Sequence, residues 1–332
     1  MKSICTDIKL DQLDFEATYL SQFAAKSAQS KGRNKEEEPC TLRTEFQRDR
    51  DRILHSKAFR RLKHKTQVFI SPQGDHYRTR ITHTLEVSQI ARTIARALKL
   101  NEDLTEAISL GHDLGHTPFG HTGEEVLDFL IPGGFRHNEQ SIRVVSVIEN
   151  LNLTAETLDG ILHHTGVFLP ATLEGQIVKI ADRVAYLNHD IDDSIRAGII
   201  GIEDLPKSCI EPFGNSTHER VTAMVKDLII NSKNKDKITM SDPCSQSMNE
   251  LRDWMFANVY TDSPAKKEEH KARKIITELY NYYIENFDNI EWMMKGGSEP
   301  ASRIVTDYIA GMTDRFAIQQ YMEKFVPFSW QL

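Results

Sequence analysis

THTLEVSQIARTIARAL, residues 82–98, is the stretch on which the fold class turns. Leu85, Ile90, Ile94 and Leu98, joined by Ala91 and Ala95, recur at the three- and four-residue spacing of an amphipathic helix, not at the alternation of a strand. The same period continues outward. Asn101 offers a cap for a helix over EDLTEAISLGHDL, and a short helix, GEEVLDFL, lies between Pro118 and the Pro132-Gly133-Gly134 turn. NEQSIRVVSVIENL, AETLDGILHH and LEGQIVKIADRVAYLNHDIDDSIRAG follow. Beyond Gly201 come ERVTAMVKDLII, SMNELRDWMFANVY, HKARKIITELYNYYIENF and ASRIVTDYIAGMTDRFAIQQYMEKF. No alternating strand series and no internal repeat interrupts them, so the expected fold class is all-α.

The expected organisation is an N-terminal arm over residues 1–43, partly flexible, a catalytic core over 44–200, and a C-terminal helical region over 201–332 packed on that core. Within the arm, KSAQSKGRNKEEEP (residues 26–39) is polar and reads as a loop or disordered segment; NSKNKDKITMSDP reads as a surface loop. The 332 residues are 39% hydrophobic and 27% charged, enough for one large core or two modest ones. A formal net charge of −7 argues against a whole-protein electrostatic grip on nucleic acid, while leaving room for a local basic pocket that takes a small polyanion. No apolar run approaches the roughly 18 residues needed to span a bilayer, and MKSICTDIKLDQLDF has no apolar segment of a signal peptide. Cys5, Cys40, Cys209 and Cys244 lack CxxC spacing and read as reduced thiols. A cytoplasmic protein without membrane attachment is expected.

The chemistry concentrates in GHDLGHTPFGH, residues 111–121, which holds His112, Asp113, His116 and His121. An isolated histidine or aspartate is ordinarily a satisfied core or surface residue. An adjacent His-Asp pair inside an apolar helix is harder to place without a partner, because burying it alone is costly. Gly111 and Gly115 are expected to provide the bend that lets both side chains serve one ion. His83 upstream, at a helix start, and Asp182 downstream, in a long helix, complete two imidazoles and two carboxylates. That set leaves octahedral positions open for water and a phosphate oxygen, as metal-assisted hydrolysis requires.

His…His-Asp…Asp on helices resembles the HD-domain phosphohydrolases. The longer text RTEFQRDRDRILHSKAFRRLKHKTQVF, YRTRITHTLEVSQIAR, GHDLGHTPFGHTGEEVL, RHNEQSIRVV, KIADRVAYLNHDIDD and DYIAGMTDRFA is similar to the bacterial deoxyguanosinetriphosphate triphosphohydrolase-like family, from about residue 40 to 320. The resemblance implies a reaction: a dNTP, with dGTP the first candidate, cut to deoxynucleoside plus inorganic triphosphate by attack at the α-phosphorus. It implies His83, His112, Asp113 and Asp182 as ligands of a divalent ion. The ion would be Mn2+, Mg2+ or another transition metal such as Co2+, Ni2+, Fe2+ or Zn2+, the imidazoles favouring a transition metal.

His121 with Glu124 is the implied catalytic pair, the 5′-oxygen being a poor leaving group unless protonated. The resemblance does not say which of the two serves the water and which the leaving group. His116 is implied to contact phosphates, and His137 and Glu139 belong to a motif that could join the proton network. Arg80 and Arg183 are candidates for the triphosphate charge. Tyr186 and Asp190 continue the Asp182 stripe toward the sugar, where a packed tyrosine would disfavour a 2′-hydroxyl. In FRRLKHKTQ (59–67), Arg61 and Gln67 are candidates for base or phosphate contacts; the run also reads as a solvated face or a nucleic-acid contact. DYIAGMTDRFA is expected to be a helix used for packing or assembly. A homo-oligomer, dimer or hexamer, is implied, and a single-stranded DNA or dNTP effector is compatible.

Two other readings remain open from sequence. One is an HD phosphohydrolase acting on a nucleoside monophosphate, cyclic dinucleotide or alarmone. The other is a non-catalytic nucleotide sensor or DNA-binding protein.

Overall fold

The computed structural model describes residues 2–67, 78–260, 268–290 and 299–327. Among them there is no sheet; the only β pairings are two isolated bridges, Arg33 with Thr154 and Thr66 with Thr79. The chain is all-α. Val68 and Phe69, which end one of the quoted motifs, and Tyr77, which opens another, lie outside the described residues.

The N-terminal arm begins with a helix, α1 (Lys2–Tyr19). The polar stretch 26–39 is mostly irregular but tethered. The Arg33 guanidinium reaches Asp49 and Glu45, and the Lys31 backbone N–H donates to Glu156 Oε1 at 2.7 Å. Arg33 and Glu37 are paired with charges on the helix that follows, which a composition argument does not reveal.

The helices of the core are α2 (Glu45–Leu54), α3 (Lys57–Arg61), α4 (Arg80–Leu98), α5 (Glu102–Gly111), α6 (Gly120–Leu130), α7 (His137–Arg143), α8 (Ala155–His163) and α9 (Leu173–Arg196). Helix α5 sits at the centre, with α2, α4, α8 and α9 packed around it. A helix enclosed on all sides must be apolar or internally satisfied all round. Leu104, Ala107, Ile108 and Leu110 are buried, and the hydroxyls of Thr105 and Ser109 donate to carbonyls one turn back, both at 2.8 Å. Asn101 caps α5 by accepting from the Leu104 N–H at 3.1 Å.

On α4 the buried face is His83, Val87, Ile90, Ala91, Ile94 and Ala95, whereas Leu85 is 50% exposed. The stripe is turned from the one expected, because the α4 face also has to carry His83 to the centre.

Helices α10 (Lys207–Phe213), α11 (Thr217–Ser232) and α12 (Asp242–Met255) extend the core of α4 and α9. A second core joins α6 to α13 (Glu269–Glu285), α15 (Ala301–Ala310) and α16 (Asp314–Phe325), with the short α14 (Phe287–Ile290) after α13. A third lies under α2, α3, α5 and α8. The expected single helix over DYIAGMTDRFA is broken: α15 ends at Ala310, and Thr313 caps α16 by accepting from the Phe316 N–H at 3.2 Å. Gly311 and the competing threonine cap terminate one helix and start another.

Candidate active site

His112 and Asp113 follow the last residue of α5, in a turn that runs to Thr117 and Pro118 before α6 begins. The expected glycine bend takes a different form. Neither Gly111 nor Gly115 has a positive φ; a Cβ at Gly115 would collide with the backbone of His137 and Ser141, so this glycine permits close approach of α7. The left-handed residues are Phe119 (φ 62°) and Gly120 (φ 58°), at the entry to α6.

Four side chains converge from three places: His83 from the first turn of α4, His112 and Asp113 from the end of α5, and Asp182 from the middle of α9. His83 Nε2 is 3.0 Å from Asp182 Oδ1, and His112 Nε2 is 3.5 Å from Asp113 Oδ2 and 3.8 Å from Asp182 Oδ1. Ligands bonded at about 2.1 Å and at right angles stand about 3 Å apart. Ligand atoms of His83, His112 and Asp113 lie within 4.8 Å of one another, a spacing that suits one ion, and Asp182 stands beside His83 and His112.

The His112 tautomer supports the same fit. Its Nδ1 lies 2.6 Å from the Ser109 carbonyl and so carries the hydrogen. Its Nε2 is then a lone pair, fully buried and without a hydrogen-bond partner in the protein. Burial would raise the Asp182 carboxyl, but the imidazoles of His83 and His112 outweigh it and hold it at about 2. Asp113, likewise raised by burial, is held well below the usual range by His112 and Arg80. The donor set suits a divalent cation.

Arg80 is 2% exposed and its Nη1 donates to Asp113 Oδ2 at 2.8 Å. Its Nε and Nη2 are buried without hydrogen-bond partners. A guanidinium in that condition is a ready anion contact.

Next to this cluster is a histidine-carboxylate group. His137 Nδ1 lies 2.9 and 3.0 Å from the two Glu124 oxygens, and its backbone N–H donates to Glu124 Oε1 at 2.9 Å. His121 Nδ1 stands 3.7 Å from Glu124 Oε2 and its side chain is 78% exposed, at the rim. The expected His121–Glu124 pair is therefore close, but Glu124 is held more tightly by His137. Burial pushes Glu124 up, yet the imidazoles of His121 and His137 hold it well below the carboxylate range. His137, lowered by burial, is raised overall by Glu124.

His116 is 2% exposed, stacks on His137 with ring centroids 4.1 Å apart, and has Nε2 3.6 Å from Asp113 Oδ1. Burial, Arg80 and His137 all push it well below its ordinary value.

The other expected contacts fare differently. Arg183 points toward α12, donating to Asn249 Oδ1 at 2.9 Å. Tyr186 is partly buried against the α4–α9 core and Asp190 is buried. Arg61 lies 3.5 Å from Glu149, on the α3 side. Gln67 has its backbone carbonyl near Gly120 and its side-chain oxygen buried without a partner. Glu139 is exposed on α7 and is not brought into the cluster.

One residue was missed. His164 follows α8, is 3% exposed, donates from Nδ1 to the Ile161 carbonyl at 2.7 Å, and places Nε2 3.2 Å from His137 Nε2. Its ring centroid is 5.0 Å from that of His112. The available signal was the His163-His164 pair closing the apolar turn of ILHH. Burial, with His112 and His137, lowers His164 to about 3.

The family described as HD domain matches residues 80–187, and that described as Phosphohydrolase-associated domain matches residues 238–323. Three relatives carry the description deoxyguanosinetriphosphate triphosphohydrolase-like protein. That of Caldanaerobacter subterraneus subsp. tengcongensis is 57% identical over 96% of this chain and 95% of its own. That of Desulfatibacillum aliphaticivorans is 50% identical over 94% and 96%. That of Clostridium perfringens strain SM101 is 49% identical over 95% and 96%.

Proposed function

Because the chain belongs to the deoxyguanosinetriphosphate triphosphohydrolase-like family and is an HD-domain hydrolase, we propose that it cleaves a deoxynucleoside triphosphate, dGTP first, to deoxynucleoside and inorganic triphosphate by attack at the α-phosphorus. The observation that carries this reading is a donor set for a divalent cation beside a buried arginine and a histidine-bound glutamate. Bound between His83, His112, Asp113 and Asp182, a cation such as Mn2+ or Mg2+ would supply Lewis-acid polarisation of an α-phosphate oxygen.

The side chains do the rest. Arg80 offers its Nε and Nη2, which have no partner in the protein, to phosphate oxygens, and the likewise unpartnered Nδ1 of buried His116 offers a further contact. Glu124 stays ionised beneath His137 and His121. His137 is held with a proton by that carboxylate, and His121, at the rim, is placed to hand a proton to the departing 5′-oxygen. In this reading Tyr186, partly buried against the α4–α9 core, would meet the deoxyribose. Gln67, Asp190, Arg61 and Arg183 are the candidates for base and outer-phosphate contacts, Arg61 leaving Glu149 and Arg183 leaving Asn249 to make them. The same proposal includes a cytoplasmic homo-oligomer, testable by light scattering. No helix among the described residues is long and apolar enough to cross a membrane.

The test is a panel. Each dNTP and rNTP is incubated with the protein and Mg2+, Mn2+ or Co2+, and products are separated by ion exchange. Deoxynucleoside plus triphosphate, fastest with dGTP, is the expected result. Monophosphate plus pyrophosphate would move the cleavage site and remove the role given to His121. Tight dNTP binding without turnover in any metal would favour the sensor.

A further inference from the structure

The turn from His116 to Phe119 places His116 at one end and delivers α6, with His121 and Glu124, from the other. It includes a phenylalanine at φ 62°, followed by Gly120 at 58°, a backbone that costs energy unless its surroundings hold it. Both ends are tied, one directly and one through Lys65, to a distant element.

At the first end, the Lys65 ammonium donates to the His116 carbonyl, and the same ammonium donates to the Ala310 carbonyl at 2.8 Å. At the second, the Phe119 N–H donates to Asp314 Oδ1 at 2.9 Å. The other oxygen of Asp314 accepts from the Thr66 N–H at 2.9 Å and from the Thr66 hydroxyl. Lys65 is 2% exposed and Asp314 7%. The break between α15 and α16 therefore holds the Phe119 end of the turn directly and the His116 end through Lys65.

Asp314 is not occupied in capping its own helix. Thr313 already does that, which leaves both carboxylate oxygens of Asp314 for donors from other segments. A carboxylate accepting three hydrogen bonds while buried is a costly choice for mere packing.

We propose that Asp314, together with Lys65, is a positioning residue. It fixes the 116–119 turn so that His116 faces Asp113, and α6 enters with Glu124 beneath His137. The inference rests on the roles given above to His116, His121 and Glu124.

The test compares steady-state kinetics on dGTP, metal per chain and Tm. Asp314→Asn keeps the size but turns an N–H2 group toward one of the two donor sets. Displacing catalytic groups by about 1 Å costs on the order of 10²-fold, so kcat is expected to fall by about that factor. Metal per chain should hold within about 3-fold, since none of the ion's donors bonds Asp314 or Thr66. KM is expected to rise modestly, because His116 is a phosphate contact in the reading above and the Arg80 N–H donates to the Lys65 carbonyl at 3.1 Å. Tyr283→Phe removes another buried hydrogen bond to the same helix, Tyr283 Oη to Gln320 at 2.8 Å, and should lower Tm without lowering kcat. Thr66→Val, which deletes only the hydroxyl donor, should give a milder kcat loss and decides the matter if Asp314→Asn does not fold.

Unchanged kcat in Asp314→Asn or, failing that, in Thr66→Val would overturn the proposal. So would a kcat loss in Tyr283→Phe as large as theirs, because the effect would then be general loosening. Glu124→Gln, run in parallel, separates the two claims. If it retains turnover, the functional reading fails; if it collapses while the Asp314 and Thr66 variants do not, only the positioning claim fails.

Discussion

A buried imidazole whose one nitrogen is committed to a carbonyl and whose other faces two carboxylates needs a cation to make sense. His112 is in that condition, and the convergence of its side chain with Asp113, His83 and Asp182 was legible from the adjacent His-Asp pair once His83 and Asp182 were added. His112→Ala is expected to lose bound Mn2+, measured by elemental analysis, together with turnover; full retention of metal would place the ion elsewhere. Glu124→Gln is expected to lower kcat by about 10²- to 10⁴-fold while metal content is unchanged. His164 was not legible, because nothing in the period of ILHH says which of two adjacent histidines turns inward. The partner choice of Glu124 was not legible either. His121 is three residues away along one helix, whereas His137 arrives by tertiary packing through the close approach at Gly115.

At the level of elements, periodicity located most of the helices, since a stripe of apolar residues has to bury itself somewhere. It misjudged the α4 stripe by including Leu85, and it ran through the α15–α16 break, where a threonine cap overrides a continuous apolar pattern. Helix α9 carries a less visible burden. Glu174, in its first turn, is fully buried; Oε1 accepts from the N–H groups of Ala25 at 3.0 Å and Asn101 at 2.9 Å. Burial pushes its carboxyl from 4.5 up to about 7, with Glu16 adding to the rise. The folded protein then holds this proton more tightly than the unfolded chain. Its contribution to stability is fully present below about pH 4.5 and is lost as pH rises toward about 7. The Tm of the parent is expected to decline between pH 5 and 8 by a component that Glu174→Gln removes. Equal slopes in the two proteins would contradict this.

For the whole molecule, two cores meet at α5 and a third joins α6 to the C-terminal helices; the first and the third of these join helices on both sides of residue 200. Leu104, with no exposed surface, stands where α4, α5 and α9 meet. Leu104→Ala is expected to cost about 2–5 kcal/mol in urea denaturation, a range typical of fully buried leucines. Sequence alone could not show that the α15–α16 break is hydrogen-bonded to the 116–119 turn, because Asp314 and Lys65 lie in unrelated segments and look like surface charges. The central claim, attack at the α-phosphorus, is tested most directly by turnover of dGTP in water enriched in oxygen-18, with both products weighed by mass spectrometry. One heavy oxygen in the triphosphate and none in the deoxyguanosine is the result this account predicts. Heavy oxygen in the deoxyguanosine, or in orthophosphate released from the γ end, would contradict it.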